Sequence, residues 1–502
     1  MPEPNHVTII GGGICGLACA YRLRQIGLPF TLIESEDRVG GLIGTVEQDG
    51  FLFDSGPQSF QATEVLLNLV RELGIEDKLQ RADPKASRFV LLHGHLREIP
   101  MSPKALLTSS LLGAGSRLKL ISEALRKTRP PDGDESVASF VRRKFGHEIL
   151  EYLVSPFVSG VYAGDPEELS LRAAFPTLDE WERKYGSVLR GAMKSRPAEQ
   201  TGAPPLCSFE KGMGTLTQAL AENLGENVRV HTRAVAVRSS DPAGRARFDL
   251  RITQEGREES LPSNALVLAT PAYAAATLLG PLSPSLAHAL SGIAYAPVAV
   301  TASGYHRQQI GNALDGFGFL VPRREKLRTL GTVWNSSLFA GRSREGMVAL
   351  TSFAGGATDT GIVAKTENEI AQIIQDGVAD VDLELLDGFT HLWLHVRMVG
   401  VSVDRPSVAC TQTVLAPFGR RGPHDLQTEG AGYGLGGRPS RKVSGSNSSS
   451  CPSGSRTNSA SPRSLSSMIC PPCSTTLSAA ARTSSTEIER WVKPGSFMVR
   501  SR

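Results

Sequence analysis

Residues 6–23 read HVTIIGGGICGLACAYRL, and three glycines crowded between two apolar stretches decide the fold. Val7, Ile9 and Ile10 are β-formers. The Ala/Leu/Tyr/Arg run after Gly16 favours helix. Gly11, Gly13 and Gly16 place G-x-G-x-x-G at the junction. The first glycine permits the tight reversal, the second lets backbone approach a pyrophosphate, and the third lets helix and strand pack closely. The helix N-terminus offers unpaired N–H groups and its positive dipole end to phosphate. A second apolar strand, FTLIE (30–34), ends at Glu34, near the distance at which an acid holds a ribose hydroxyl. Strand, turn, helix and acid together predict an α/β chain that opens with a doubly wound, Rossmann-like dinucleotide-binding domain.

A chain of 502 residues exceeds one ordinary core, so two or three domains are expected. The polar, acidic start and the glycine-broken first apolar run argue against a signal peptide. No apolar run reaches the ~20 residues of a bilayer-spanning helix. Seven cysteines with one close pair, Cys470 and Cys473, fit a reducing, cytoplasmic setting. That lone pair lacks the four ligands zinc requires, so no metal is expected. The formal charge of +4 arises from residues 430–486, which hold six basic residues and no acid. The remainder is slightly acidic, so no nucleic-acid partner is expected. No paired carboxylates, Ser/His/Asp set or nucleophilic cysteine asks for hydrolytic chemistry.

Beyond Glu34 the sequence runs ESEDRVGGLIGT (34–45) and then FLFDSGPQSF (51–60), a glycine doublet followed by a strand and a Gly-Pro turn. Two further stretches follow in order: FEKGMGTLTQAL (209–220), with Gly212 and Gly214 before a helix, and NVRVHTRAVAVRSS (227–240), an alternating strand pair. ALVLATP (265–271) then reads as a buried strand. This series resembles the glycine-doublet flavoproteins, which include amine oxidases, phytoene desaturases and protoporphyrinogen oxidases. The resemblance implies FAD, with Gly11, Gly13, Gly16, Glu34 and Ser35 in its site. It sets Arg38, Gly40 and Gly41 along the diphosphate and ribityl chain. The turn of Gly56, Pro57, Gln58 and Ser59 would pass the isoalloxazine, and the Val235 backbone would meet the adenine.

Four more stretches resemble protoporphyrinogen oxidases of the bacterial, oxygen-dependent type. They are SRFVLLHGHLREIP (87–100), SPFVSGVYAGDPEELSLRAAFPTL (155–178), GFGFLVPRRE (316–325) and LGTVWNSSLFAGRSREGMVALTSFAGGA (330–357). The likeness runs from about His6 to about Leu386. It implies oxidation of protoporphyrinogen IX, a tetrapyrrole, in three two-electron steps, with molecular oxygen as acceptor and peroxide released. Growing conjugation supplies driving force, so the protein mainly orients the macrocycle and no residue is singled out as a catalytic base. Arg88 would pair with a propionate, which a planar guanidinium suits. Phe317 and Leu320 would sandwich pyrrole rings, and the Gly160 carbonyl would meet pyrrole N–H groups. Against this, an isolated arginine is more often solvated, and Phe317 reads equally well as core. Gln58 stands where some relatives carry a substrate-facing arginine.

Residues 99–130 mix leucines with Lys104, Arg117, Lys119, Arg126, Lys127 and Arg129. They suit a helix lying in an anionic membrane surface, or an ordinary amphipathic helix packed on its own domain. The resemblance favours peripheral docking on the inner face of the cell membrane and admits a homodimer. The expected organisation is an FAD domain in two segments (1–86 and 206–278). Around these lie a helical membrane-facing insert (87–205), a substrate domain (279–390) and a divergent tail (391–502). The family's closing Ala-Gly-Asn-x-x-x-Gly is not found. Residues 440–485 instead hold 17 serines. Too little apolar area is available there to offset ordering entropy, and the composition looks like a GC-rich gene read out of frame. Two other readings remain at this level: a coproporphyrinogen III oxidase of the same fold, and a catalytically inactive homologue.

Overall fold

A computed structural model describes residues 6–195, 204–239, 247–379, 393–402 and 408–414. The chain opens with β1 (Val7–Ile10), α1 (Ile14–Gln25) and β2 (Phe30–Ile33). A hairpin follows, β3 (Thr45–Gln48) and β4 (Phe51–Asp54), and then β5 (Phe60–Gln61), α2 (Glu64–Glu72) and β6 (Leu79–Arg81). A second hairpin, β7 (Arg88–Leu92) and β8 (His95–Glu98), leads into helices. These are α3 (Pro103–Thr108), α4 (Ala114–Leu125), α5 (Val137–Lys144) and α6 (His147–Ile149). A π-helical turn (Leu150–Val154) runs on into α7 (Ser155–Tyr162), followed by α8 (Leu171–Ala174), α9 (Pro176–Tyr185) and α10 (Val188–Lys194).

The chain then returns through β9 (Leu206–Phe209), α11 (Gly214–Leu224), β10 (Val228–Arg229) and β11 (Thr232–Ser239). Strands β12 (Phe248–Gln254), β13 (Arg257–Ser263) and β14 (Ala265–Leu268) come next, with α12 (Ala272–Leu279) and α13 (Pro284–Ser291). The last region holds β15 (Tyr295–His306), β16 (Gly318–Leu320), β17 (Thr329–Val333), α14 (Asn335–Leu338) and β18 (Met347–Gly355). It ends with α15 (Glu367–Ala379), β19 (Trp393–Ser402) and β20 (Val408–Val414).

The parallel sheet has the order β10-β2-β1-β14, so strands far apart in sequence meet in one domain. Val7 lies opposite Phe30 on one side and Ala265 on the other. Alternation along β1 splits its side chains between two cores. Val7 and Ile9 pack with Leu17, Leu32, Leu69 and Leu220, under α1, α2 and α11. Ile10 packs with Leu250, Ile252, Leu266 and Ala276 on the other face. That second face is covered by the antiparallel sheet β11-β12-β13 together with α12 and α13. Alternation along β12, with Phe248, Leu250 and Ile252 inward and Asp249 and Arg251 between them, suits a strand in that place.

The largest sheet has the order β20-β19-β15-β18-β17-β16-β7-β8. Strand β7 pairs parallel with β16, setting Arg88 opposite Gly318. The 88–98 hairpin, which the sequence groups with the helical insert, is thus hydrogen-bonded into this sheet. Strands β19 and β20 extend the sheet past residue 390, where the sequence expects regular structure to stop; β19 pairs with β15 over Tyr295–Gly304. The rest of the expected tail, with Cys470 and Cys473, lies outside the described residues. Residues 155–178, expected as loop to helix, instead begin as helix α7, which continues the π-helical turn; that turn ends just before Pro156, whose nitrogen has no N–H to give the helical ladder.

Helices α3 to α10 enclose their own apolar core around Phe140, Val158 and Leu171. A buried charge cluster ties them together. Lys144 Nζ lies 2.9 Å from Glu123 and 3.2 Å from Glu182, all nearly inaccessible. Lys144 also donates to Thr128 Oγ1 at 2.6 Å. Glu123 accepts from the N–H groups of Val188 and Leu189, capping α10 from another helix. Burial raises the Glu182 carboxyl, but hydrogen bonds from Arg143 and Thr128 and the charge of Lys144 outweigh it, holding its pKa at about 2.

Candidate active site

The glycine turn is built as a cradle. Gly11 has φ +107°, and a Cβ there would lie 2.8 Å from the Ala269 carbonyl at the end of β14. A Cβ on Gly16 would stand 1.9 Å from the Gly11 carbonyl oxygen. Gly13 differs: a Cβ there meets nothing within 4 Å, so the turn opens into free space at this position. Helix α1 has no side-chain cap and no acid in its first turn. The positive end of the helix dipole therefore faces that space.

Glu34, at the end of β2, accepts from the Gly12 N–H at 2.6 Å through one oxygen. Its other oxygen accepts from Ser35 Oγ and the Glu36 N–H, each at 3.1 Å. Glu34 is thus oriented at the edge of the turn. The segment 229–232 runs alongside, since the Glu34 N–H donates to the Arg229 carbonyl and the Thr232 N–H to that of Glu34. Along β11 the register slips between Ala234 and Ala236, so Val235 is a bulge residue without a partner in β12. Its backbone polar groups are spared from that ladder.

The doublet packs directly on the cradle. The Gly40 N–H donates to the Gly12 carbonyl at 2.8 Å. A Cβ on Gly41 would sit 3.2 Å from Gly13 Cα. Arg38 donates to the carbonyls of Val39, Gly41 and Ile43 at 3.0–3.1 Å. Three donors of Arg38 therefore brace the doublet loop itself. The turn at 56–59 lies against the same loop: a Cβ on Gly56 would clash with the Leu42 carbonyl at 2.2 Å. Pro57, Gln58 and Ser59 are half-buried, and the Gln58 Nε2 is buried with no hydrogen-bond partner among the described residues. Thr270 Oγ1, beside the Gly11 turn, is a second buried polar atom of this kind. The open cradle and these orphaned groups fit a bound dinucleotide.

The four proposed substrate residues fall into two pairs. The Arg88 guanidinium lies over the Phe317 ring, 5.2 Å from its centroid. Arg88 is half-buried, and burial lowers its pKa; no acid pairs with it among the described residues. Phe317 also packs beside Phe339 and Leu338, so it belongs partly to core. Gly160, on α7, faces Leu320: a Cβ there would lie 2.4 Å from Leu320 Cδ2. The Gly164 N–H, four residues on, is taken by the Val158 carbonyl. The Gly160 carbonyl thus lacks its usual helical donor at this helix end. Phe317 and Leu320 stand three residues apart: Phe317 packs with Phe339 and Leu338, whereas Leu320, ending β16, faces Gly160 on α7.

Sequence reading overlooks the carboxylate beneath this site. Asp54 forms an ion pair with Arg342 at 3.0 Å, both about 1% exposed. No spacing or motif connects residues so distant in sequence.

A parallel sheet with a glycine cradle at its strand ends, the carboxylate of Glu34 at the cradle's edge and an apolar cation-bearing sheet beside it fit a flavin-dependent oxidoreductase. The family description "Flavin containing amine oxidoreductase" matches residues 14–397, and the chain belongs to that family. It is 37% identical over 392 residues to the chloroplastic protoporphyrinogen oxidase 1 of Arabidopsis thaliana, covering 73% of this chain and 72% of that one. It is 28% identical over 400 residues to the coproporphyrinogen III oxidase of Bacillus subtilis (strain 168), covering 75% and 83%. Among solved structures, a protein from Exiguobacterium sp. 255-15 shares the fold with a TM-score of 0.67 at 23% identity, covering 82% and 89%.

Proposed function

We propose that this chain is an FAD-dependent porphyrinogen oxidase that converts protoporphyrinogen IX to protoporphyrin IX with molecular oxygen. The observation that carries the reading is Arg88: a half-buried cation with no acid partner among the described residues, seated on an aromatic ring at the start of β7. An apolar macrocycle bearing carboxylates matches it, and the relatives named above are porphyrinogen oxidases. FAD, when bound, supplies the acceptor for three two-electron oxidations of the macrocycle, each balanced by reduction of one oxygen to peroxide. This chain's residues bind and orient. Gly11, Gly13, Gly16, Glu34 and Ser35 would hold the dinucleotide end, and the doublet Gly40–Gly41, braced by Arg38, its middle. The turn of Gly56, Pro57, Gln58 and Ser59 would hold the ring end, and the Val235 backbone the adenine. Arg88 would fix one propionate. The spare Gly160 carbonyl would accept from pyrrole N–H, with Leu320 and Phe317 against the rings.

The test is direct. Protein loaded with FAD is supplied with protoporphyrinogen IX or coproporphyrinogen III in air, and porphyrin fluorescence and peroxide are followed. Turnover of protoporphyrinogen with three peroxides per porphyrin is expected. Preference for the tetracarboxylate would transfer the assignment to coproporphyrinogen oxidation, and a flavin-loaded protein inert to both would refute it.

The reading extends to location at a membrane surface. Among the described residues no helix is long and apolar enough to cross a membrane. The stretch expected as one helix is two, α3 and α4. On α4, Leu118 and Leu125 are 67% and 70% exposed, with Ile121 between them on the same face. Met193, on the neighbouring α10, adds exposed apolar area, and Arg126, Lys127 and Arg129 follow α4. An apolar stripe flanked by cations suits an anionic lipid surface. Co-sedimentation with vesicles containing anionic lipid should be lost in Leu118→Glu/Leu125→Glu; retention by that variant would exclude this face.

A further inference from the structure

The buried pair Asp54–Arg342 joins three separate stretches of chain. Asp54 ends β4, and its Oδ1 accepts from the Met213 N–H at 2.7 Å and from Thr45 Oγ1 at 2.7 Å. Thr45 Oγ1 in turn accepts from the Gly214 N–H at 2.9 Å. Strands β3 and β4 therefore hold the first turn of α11 through two side chains, in place of a cap of the helix's own. A carboxylate there is favoured by the positive end of the helix. The match is close: Gly212 has φ +77°, and a Cβ on it would lie 2.6 Å from Asp54 Oδ1.

Arg342 comes from the substrate region, between α14 and β18. Its Nη1 lies 3.0 Å from Asp54 Oδ2, and its Nη2 donates to Ser208 Oγ on β9 at 2.6 Å. Its carbonyl accepts from the Leu52 N–H, and the Arg344 N–H donates to Gly50. Residues 342–344 thus lie along β4 like an added strand, with Phe51 bridged to Ser343. Burial pushes the Asp54 carboxyl up and the Arg342 guanidinium down, and each pulls the other back.

Asp54 immediately precedes the turn at 55–59, and Thr45 immediately follows the doublet loop that ends at Gly44. The two loops are stitched together: Ser55 donates to the Gly44 carbonyl through both its N–H, at 2.8 Å, and its Oγ, at 3.1 Å. One anchor therefore supports both loops that would face the flavin, and its cationic half belongs to the substrate sheet. Buried ion pairs are weak devices for stability alone, since apolar residues of like volume often serve better. They hold geometry where they also satisfy several directional partners, as Asp54 does.

We propose that Asp54 and Arg342 are positioning residues that set the flavin-facing turn Gly56–Ser59 against the doublet loop and tie its position to the substrate sheet. This rests on flavin binding at the cradle described above. The test uses FAD-loaded Asp54→Asn, which keeps size and an acceptor for Met213 and Thr45 but removes the charge. Arg342→Lys and Arg342→Met are compared with it.

Flavin content should match the unmodified protein, because the diphosphate cradle is untouched. The visible circular dichroism of the bound flavin should change, and kcat should fall roughly 10- to 100-fold with KM unchanged, since an ångström of misplacement suffices. Arg342→Lys should recover part of both. A folded Asp54→Asn or Arg342→Lys protein with unaltered flavin dichroism would overturn the proposal. Loss of flavin from folded Asp54→Asn would also overturn it, by placing Asp54 in the cradle itself. If the unmodified protein takes up FAD but turns over no porphyrinogen, the functional reading fails while the dichroism still decides this one.

Discussion

Replacing Arg88 by methionine should move two quantities in different directions. The guanidinium is half-buried over Phe317, and no acid faces it among the described residues. With substrate, a charge-assisted bond to a propionate is worth about 1.5–3 kcal/mol. Its loss lowers kcat/KM by roughly 10- to 150-fold, at about 1.4 kcal/mol per decade. The loss should appear in KM, because the contact exists in bound substrate and transition state alike. Without substrate, the balance reverses. Methionine keeps an apolar stem and removes a partly desolvated charge, at the expense of a cation–π contact of about 0.5–1 kcal/mol. The melting temperature of the substrate-free protein should therefore hold or rise. Porphyrin fluorescence assays across substrate concentration, with thermal melts of the same preparations, measure both. Arg88→Lys should recover only part of the kinetic loss, because an ammonium lacks the planar two-point contact. An unchanged KM, or a fall of many degrees in melting temperature, would show that Arg88 serves the fold and refute the reasoning.

The glycines of the cradle should separate fold from cofactor. Gly13→Val should fold normally, since a Cβ there meets nothing, yet take up no flavin; flavin titration of a folded variant checks it. Gly16→Ala should lose both, because its Cβ would overlap the Gly11 carbonyl at 1.9 Å, which circular dichroism and melting would report. Lys144→Met should destabilise the helical insert by about 3 kcal/mol, the low end for breaking a buried pair, as Glu123 and Glu182 keep other donors; denaturant unfolding measures it. The Glu182 carboxyl is held at about 2, below its ordinary 4.5. A depressed acid stabilises above its unfolded pKa, and that contribution is lost as pH falls through the folded value. Melting temperature should therefore be insensitive to Glu182 above about pH 5 and decline from there toward pH 2. Glu182→Gln should flatten that decline.

Much of the cradle was legible because its chemistry is local. Gly11, Gly13 and Gly16 fall within six residues, and the turn, the helix end and the strand they join are all set by neighbours in the chain. Glu34, the doublet and the turn at Gly56 all follow within 40 residues of Gly16. Short apolar runs likewise announced β1, β2 and β14. What such runs cannot state is which strands meet. The order β10-β2-β1-β14, the capture of the hairpin by β16, and the extension of the sheet by β19 depend on pairings between residues far apart. Arg88 could be picked out as a residue, but its place on Phe317 required β7 and β16 to pair in register. Asp54 and Arg342 each look like an ordinary surface charge in sequence. Only the packed structure buries them together, because burial is a property of what folds over a residue. The energy that joins a carboxylate to a guanidinium depends on their distance in space, on which their separation along the chain has no bearing.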